Sequence, residues 1–107
     1  MRTHLNAVYR ERTFVVAALA FVAASQGCAV WLAPHIDQPG ETWEDDWRTV
    51  LYIQLPTGQV SWHLHDSEVA LFAWVKDAHL FRSFPYDGHS TDEKYRRIYE
   101  YVTGRKQ

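Results

Sequence analysis

The first quarter of the chain carries its longest apolar run, which spans residues 14–24 and follows a charged segment. Within residues 4–26, the side chains that fall near one helical stripe are Leu5, Val8, Tyr9, Arg12, Val15, Val16 and Leu19. Gly27 follows, and glycine is common just beyond a helix because it tolerates a positive φ. The pattern predicts one long helix over residues 4–26 that packs on the rest of the domain.

The same run also has the outline of an export signal. Arginines precede it, small residues follow it, and Cys28 comes soon after. However, the run has only 11 residues, whereas a membrane-spanning helix needs about 20. Glu11 also lies close to it, and the chain continues directly into an apolar segment typical of a strand. We therefore predict a buried helix, no membrane association and a cytoplasmic protein, with a signal peptide as the alternative.

Strand patterns follow the first helix. Residues 28–34 form a short apolar segment, and residues 50–55 and 59–65 flank a tight turn with Pro56 and Gly58. Proline at the second turn position and glycine at the fourth are typical of a type I turn, so these segments predict a β-hairpin. Along its second strand the side chains alternate between two faces, with Val60, Trp62 and Leu64 on one and Ser61, His63 and His65 on the other.

Two segments carry loop signals. Residues 35–48 combine proline and glycine with five acidic residues. This composition indicates a solvated loop in which Trp43 and Trp47 serve as anchors. Residues 83–88, Ser-Phe-Pro-Tyr-Asp-Gly, also form a predicted loop.

Two further helices are predicted after the hairpin. Asp66 or Ser67 can cap a helix over residues 68–76. The last helix is capped by Ser90, and Glu93 three residues later completes a capping box. Its apolar positions at helical spacing are Tyr95, Ile98, Tyr99 and Val102, and Gly104 ends it.

The order of these elements predicts one α+β domain over residues 1–107. We expect a small antiparallel sheet with a central β-hairpin, with the long N-terminal helix and the C-terminal helix packed on it. The chain has 107 residues, which is room for a single core. It contains no internal repeat and no linker that would divide it.

The composition of the chain limits the classes of function that the protein can have. Five Trp, six Tyr and five Phe exceed what a small core usually needs, so some rings are expected to line a pocket or an interface. We expect the remaining apolar surface to pair copies into a homodimer or higher oligomer. The net charge of -2 is unlike that of a general nucleic-acid binder, which is strongly basic. A single cysteine excludes an internal disulfide and a multi-cysteine zinc site.

Two separated segments stand out, namely Pro-Thr-Gly-Gln-Val-Ser-Trp-His at 56–63 and Tyr-Asp-Gly-His-Ser-Thr-Asp-Glu-Lys-Tyr-Arg-Arg at 86–97. Together they resemble the WDGH-domain family of small phage and prophage proteins, in which a Thr-Gly-Gln-(Val/Ile)-Ser-Trp-His strand precedes a Trp-Asp-Gly-His motif. Tyr86 stands where that family has tryptophan. The resemblance is best over residues 50–102, and it implies a viral or prophage origin and a role in counter-defence.

The second motif places side chains that could form a binding site at the start of the last helix. His89 precedes the cap Ser90, where free backbone N–H groups and the helix dipole favour an anion. The tight turn at Asp87-Gly88 can aim the side chains of Asp87 and His89 into one cleft. In the alternative interpretation, Asp87 caps backbone groups and His89 packs under the sheet.

The two histidines of the hairpin suggest a second kind of site. His63 and His65 lie two apart on one strand, a spacing that can chelate a metal with Asp87 or His89 as a third ligand. Only His63 belongs to the motif that the family shares, so we expect His65 to be a half-buried histidine with satisfied hydrogen bonds. We predict no metal and no cofactor.

Aromatic rings and an arginine complete the predicted site. Rings can stack on a nucleotide base, and Arg97 can reach its phosphate, although its spacing from Glu93 also allows a simple ion pair on the helix. The predicted ligand-binding residues are Trp62, His63, Tyr86, Asp87, His89, Tyr95 and Arg97.

Three functions remain open. The first is a phage-encoded counter-defence protein that binds and sequesters a small nucleotide, such as a cyclic immune signal of the host. The second is a phosphodiesterase in which His63 and His89 act as acid and base. The third is an inhibitor that binds a host defence complex, as anti-CRISPR proteins do, through the acidic loop and exposed tryptophans. We favour the first, without enzymatic activity, because the sequence lacks a known catalytic motif.

Overall fold

The computed structural model describes residues 7–37, 39–40, 43–75 and 90–104. Two α-helices, three β-strands and two short 3-10 helices account for most of these residues. In chain order they are α1 (Ala7–Ser25), β1 (Val30–Pro34), a 3-10 helix (Asp45–Trp47), β2 (Thr49–Leu55), β3 (Gly58–Leu64), a second 3-10 helix (Asp66–Phe72) and α2 (Thr91–Thr103). The predicted α+β class is confirmed.

The described strands form one antiparallel sheet in the order β1-β2-β3. Leu55 pairs with Gly58, so the predicted hairpin is present with Pro56 and Thr57 as its two turn residues. Gly58 has a φ of 142°, a conformation that side-chain-bearing residues rarely adopt. The glycine at this position therefore permits the sharp return from β2 into β3.

Helix α1 packs against the sheet through one stripe, whose buried residues are Tyr9, Thr13, Val16, Ala20 and Ala23. The predicted stripe was wrong in part, because Val8 and Val15 point to solvent. Gly27, with a φ of 98°, ends the helix, and the N–H of Cys28 donates to the Ala23 carbonyl at 3.0 Å. In the described part of the chain, no helix is long and apolar enough to cross a membrane.

The main core lies between one face of the sheet and the helices. Leu51 and Ile53 of β2 and Trp62 of β3 pack there with Val16 of α1 and Ile98 of α2. The opposite face is also buried, and on it the rings of Trp31 and Tyr52 stack at 5.3 Å. The alternation predicted along β3 is confirmed, since Val60, Trp62 and Leu64 all belong to the main core.

The segments around the sheet differ in detail from the predictions. Trp43 and Trp47 are buried, as expected of anchors for the acidic loop. The helix predicted over residues 68–76 is instead the second 3-10 helix. Its cap is His65 rather than Asp66 or Ser67, because the His65 ring accepts a hydrogen bond from the backbone N–H of Ser67.

Candidate functional site

The two motifs singled out in the sequence meet where β3 and α2 pack together. Lys94 of α2 donates from Nζ to the Ser61 hydroxyl at 3.0 Å, and both side chains are buried. One turn further along α2, Nη1 of Arg97 lies 3.8 Å from where a Cβ on Gly58 would be. Residues more than 30 positions apart in the chain therefore form one surface.

An open pocket of about 430 Å³ lies on this surface, and we call it the turn pocket. The hairpin turn supplies Thr57 to its lining. Helix α2 supplies the remaining side chains that matter for its chemistry, which are Glu93, Arg96, Arg97, Glu100 and Tyr101. Ser90 caps α2 as predicted, because its hydroxyl accepts a hydrogen bond from the N–H of Glu93. The Glu93 carboxylate bonds to Arg96 and Arg97.

Glu93 holds both arginines of the turn pocket. Nη2 of Arg96 lies 2.6 Å from each of its carboxylate oxygens, and Nε of Arg97 donates to Oε2 at 3.0 Å. Arg96 also donates to Glu100 at 3.1 Å. The hydrogen bonds from Arg96 and then Arg97 lower the pKa of Glu93 to about 2. The carboxylate is therefore ionised throughout the physiological pH range. The ion pair between Glu93 and Arg97 that their spacing predicts is present.

Trp62 belongs to the core rather than to this pocket. Its side chain is 2% exposed, its ring stacks on Tyr9 at 5.1 Å, and its Nε1 donates to the Thr13 hydroxyl at 3.0 Å. A ligand cannot stack on a ring that is enclosed in this way. We therefore do not retain Trp62 in the candidate site.

His63 is packed between other aromatic side chains. The Trp43 ring stacks on it at 3.9 Å, with an angle of 4° between the planes. Its Nε2 lies 2.9 Å from Nδ1 of His35, so one of these rings donates and the other accepts. Its carbonyl accepts a hydrogen bond from the Tyr9 hydroxyl. These contacts give His63 a structural environment on the sheet.

His65 has different partners from His63. Its Nδ1 accepts from the Ser67 N–H at 3.1 Å, and its Nε2 lies 3.0 Å from a carboxylate oxygen of Asp46. The half-buried, hydrogen-bonded histidine expected at this position is present. Across the described ranges, no group of three or more His, Cys, Asp and Glu side chains is arranged to hold a metal ion.

Tyr95 lies at the contact between α1 and α2. The Arg12 guanidinium sits over its ring, with Cζ at 5.3 Å from the centroid. Arg12 also forms an ion pair with Asp92 at the start of α2. The Tyr95 ring therefore joins two helices, at a place that the lining of the turn pocket does not include.

Of the predicted site residues, Arg97 is the one that lines the turn pocket. Tyr86, Asp87 and His89 lie outside the described residues, and so does the cleft predicted to join them to His63. Sequence reasoning missed Thr57 and Tyr101 as pocket residues and Lys94 as the partner of Ser61. For Lys94 a signal existed, because it lies within the second motif.

Comparison with known proteins places these motifs in a family. A family model described as the WDGH domain matches residues 2–101, which is nearly the whole chain. No curated protein and no solved structure matches the chain. The match includes α1 and the sheet as well as the two motifs that meet at the turn pocket. The chain therefore belongs to the WDGH domain family.

Proposed function

We propose that the protein binds and sequesters a small nucleotide in the turn pocket. The observation that carries this proposal is the lining of that pocket, where two guanidinium groups and the Tyr101 ring face one space of about 430 Å³. Guanidinium groups bind phosphate through charge-assisted hydrogen bonds, and a tyrosine ring can stack on a base. The pocket also lies where the two family motifs come together.

Arg97 is the main phosphate ligand in this proposal. Its Nε donates to Glu93, while its Nη1 points toward the hairpin turn, 3.8 Å from where a Cβ on Gly58 would be. A phosphate can approach these outer nitrogens while Glu93 keeps the guanidinium oriented. The paired carboxylates also neutralise the site, so phosphate must compete with Glu93 for the arginines. Affinity therefore depends on base and ribose contacts as well as on charge.

The chemistry of the pocket favours binding over cleavage. With a pKa near 2, Glu93 has no proton to give to a leaving group at neutral pH. The His63 ring, which the phosphodiesterase hypothesis needs, is packed against Trp43 and His35. The protein-inhibitor hypothesis needs exposed tryptophans in the acidic loop, whereas Trp43 and Trp47 are buried.

The biological role we propose is counter-defence in the cytoplasm of a host cell. A protein that holds a cyclic nucleotide without cleaving it lowers the free concentration of an immune signal. The resemblance of the chain to phage and prophage proteins supports this role. The pocket is large enough for one nucleotide unit, so cyclic mononucleotides and single units of cyclic dinucleotides are the ligands to test first.

The test is incubation of the purified protein with cyclic AMP, cyclic GMP, cyclic di-AMP and linear AMP, followed by calorimetry and chromatography. We expect heat release with at least one cyclic nucleotide and recovery of intact ligand after the protein is heat-denatured. New products would favour the phosphodiesterase. Absence of binding to every nucleotide would refute the proposal and favour the protein-partner hypothesis.

A further inference from the structure

Helix α1 is apolar on two opposite faces. One face is buried against the domain, as described above. Among the described residues, six large hydrophobic side chains are exposed, and five of them belong to α1, with exposed fractions from 36% to 60%. They are Val8, Phe14, Val15, Phe21 and Val22. A continuous apolar face on a small domain is a mark of an interaction surface.

The exposed face has a definite geometry, and we call it the outer stripe, formed by Phe14, Val15, Ala18, Phe21 and Val22. At about 100° per residue, all five lie within about 60° of the direction of Ala18. The spacing is symmetric, because valine and phenylalanine occur three and four residues to either side of Ala18. The small side chain at the centre allows another helix to approach closely.

Such a pattern is complementary to itself in the antiparallel direction. If two copies of α1 cross at Ala18, Phe14 of each copy faces Val22 of the other, and Val15 faces Phe21. Large side chains then meet smaller ones in both halves of the contact. A two-fold dimer requires this property, because both subunits contribute the same surface patch.

The charged residues of α1 also favour an antiparallel orientation of the two helices. No charged residue occurs from Phe14 to Ser25, whereas Arg10, Glu11 and Arg12 cluster near the N-terminus. In an antiparallel pair the two charged ends lie far apart. In a parallel pair Glu11 would face its own copy, and like charges across an interface disfavour association.

We propose that the outer stripe is the interface of an antiparallel homodimer. Helix α1 has 19 residues and is therefore about 28 Å long. Trp74 packs edge-on against Phe21 with ring centroids 5.2 Å apart, which extends the apolar surface at one end. A single helix pair of this length falls near the lower size limit of specific interfaces, about 1,000 Å² in total. An interface of this size is typical of weak, transient association.

Sedimentation velocity across low micromolar to submillimolar concentrations tests the dimer, with a reductant present because of Cys28. Ala18→Glu places like charges at the crossing point, so we expect the dissociation constant to rise at least about tenfold. Thr91→Glu, which adds the same charge at an exposed position of α2, is the matched control and leaves the dimer intact. Circular dichroism verifies that each variant is folded.

Disulfide crosslinking tests the orientation. In a Cys28→Ser background, Ala18→Cys is expected to form a covalent dimer on mild oxidation, whereas Val8→Cys is not. If Val8→Cys forms the covalent dimer efficiently and Ala18→Cys does not, the antiparallel arrangement is overturned. A wild-type protein that stays monomeric at every concentration, or that associates with neutral lipid vesicles instead, would overturn the homodimer. Neither result depends on nucleotide binding.

Discussion

The buried ammonium group of Lys94 donates a hydrogen bond to the Ser61 hydroxyl at 3.0 Å, which ties α2 to β3. The two residues are 33 positions apart, and each belongs to one of the two family motifs. A buried charge needs polar partners, since removing one leaves the desolvation cost of the other uncompensated. This contact therefore holds α2 at the hairpin and, with it, the side chains of the turn pocket.

Ser61→Ala is expected to lower the free energy of unfolding by about 1–3 kcal/mol, because it deprives the Lys94 ammonium of an acceptor. In a Lys94→Met background the same substitution should cost clearly less, since the buried charge is then absent. Urea unfolding of the four proteins in this double-mutant cycle measures the coupling. Additive effects of the two substitutions would show that the contact contributes nothing of its own.

Glu68 makes stability depend on pH. The residue is buried, and this burial raises the pKa of its carboxyl group above the ordinary value of 4.5. The folded state therefore binds this proton more tightly than the unfolded state, and the resulting stabilisation is lost as pH rises through the folded pKa. The group disfavours folding most at pH values above its folded-state pKa.

Glu68→Gln should flatten the decline in unfolding free energy as pH rises above 4.5, because glutamine does not ionise. The amide oxygen can still accept the hydrogen bond that the His65 N–H donates to Oε1. Urea denaturation at several pH values measures the effect, with Glu11→Gln as a matched variant at an exposed position. If the two variants have the same pH dependence, the raised pKa of Glu68 is refuted.

Arg97→Ala should separate ligand binding from stability. Its pair with Glu93 is a partly exposed contact between residues four apart on a helix, and such pairs contribute little to stability. Loss of a charge-assisted hydrogen bond to phosphate should cost about 1.5–3 kcal/mol of binding free energy. Calorimetry and thermal denaturation measure the two effects, and Arg10→Ala is the control outside the turn pocket. A large fall in melting temperature with unchanged binding would show that Arg97 serves only as the ion-pair partner of Glu93 and does not bind the ligand.

Glu93→Gln should have the opposite effect on the ligand. The carboxylate competes with phosphate for Arg96 and Arg97, and a neutral amide releases both guanidinium groups from that competition. We therefore expect nucleotide to bind several-fold more tightly to the variant than to the wild type. Titration of the variant and the wild type with the same nucleotide is the measurement. Weaker binding by Glu93→Gln would mean that orientation of the arginines matters more than competition.

Local signals in the sequence were sufficient for much of the fold. Pro56 and Gly58 fix the hairpin, and Ser90 with Glu93 fixes the start of α2, because turns and caps depend on neighbouring residues. The buried face of α1 could not be predicted in the same way. Its run is apolar all around, so helical periodicity does not distinguish the side that meets the sheet.

The candidate site was less predictable than the fold. The abundance of aromatic residues predicts that the Trp62 ring stacks on a ligand, but abundance does not separate core rings from exposed ones. Lys94 and Ser61 meet only through tertiary packing, which no local pattern encodes. Arg97 was identified because it lies inside a motif and at helical spacing from a carboxylate.

The proposed function requires that a nucleotide phosphate contact the guanidinium group of Arg97 in the turn pocket. Heteronuclear NMR of the arginine Nε–H groups tests it directly, with signals assigned from Arg96→Lys and Arg97→Lys. On titration with the tightest-binding cyclic nucleotide, we expect the Arg97 signal to shift most, the Arg96 signal to follow it, and the signals of Arg10 and Arg48 to stay in place. A bound nucleotide that leaves the Arg97 signal unchanged would show that its phosphate does not contact Arg97.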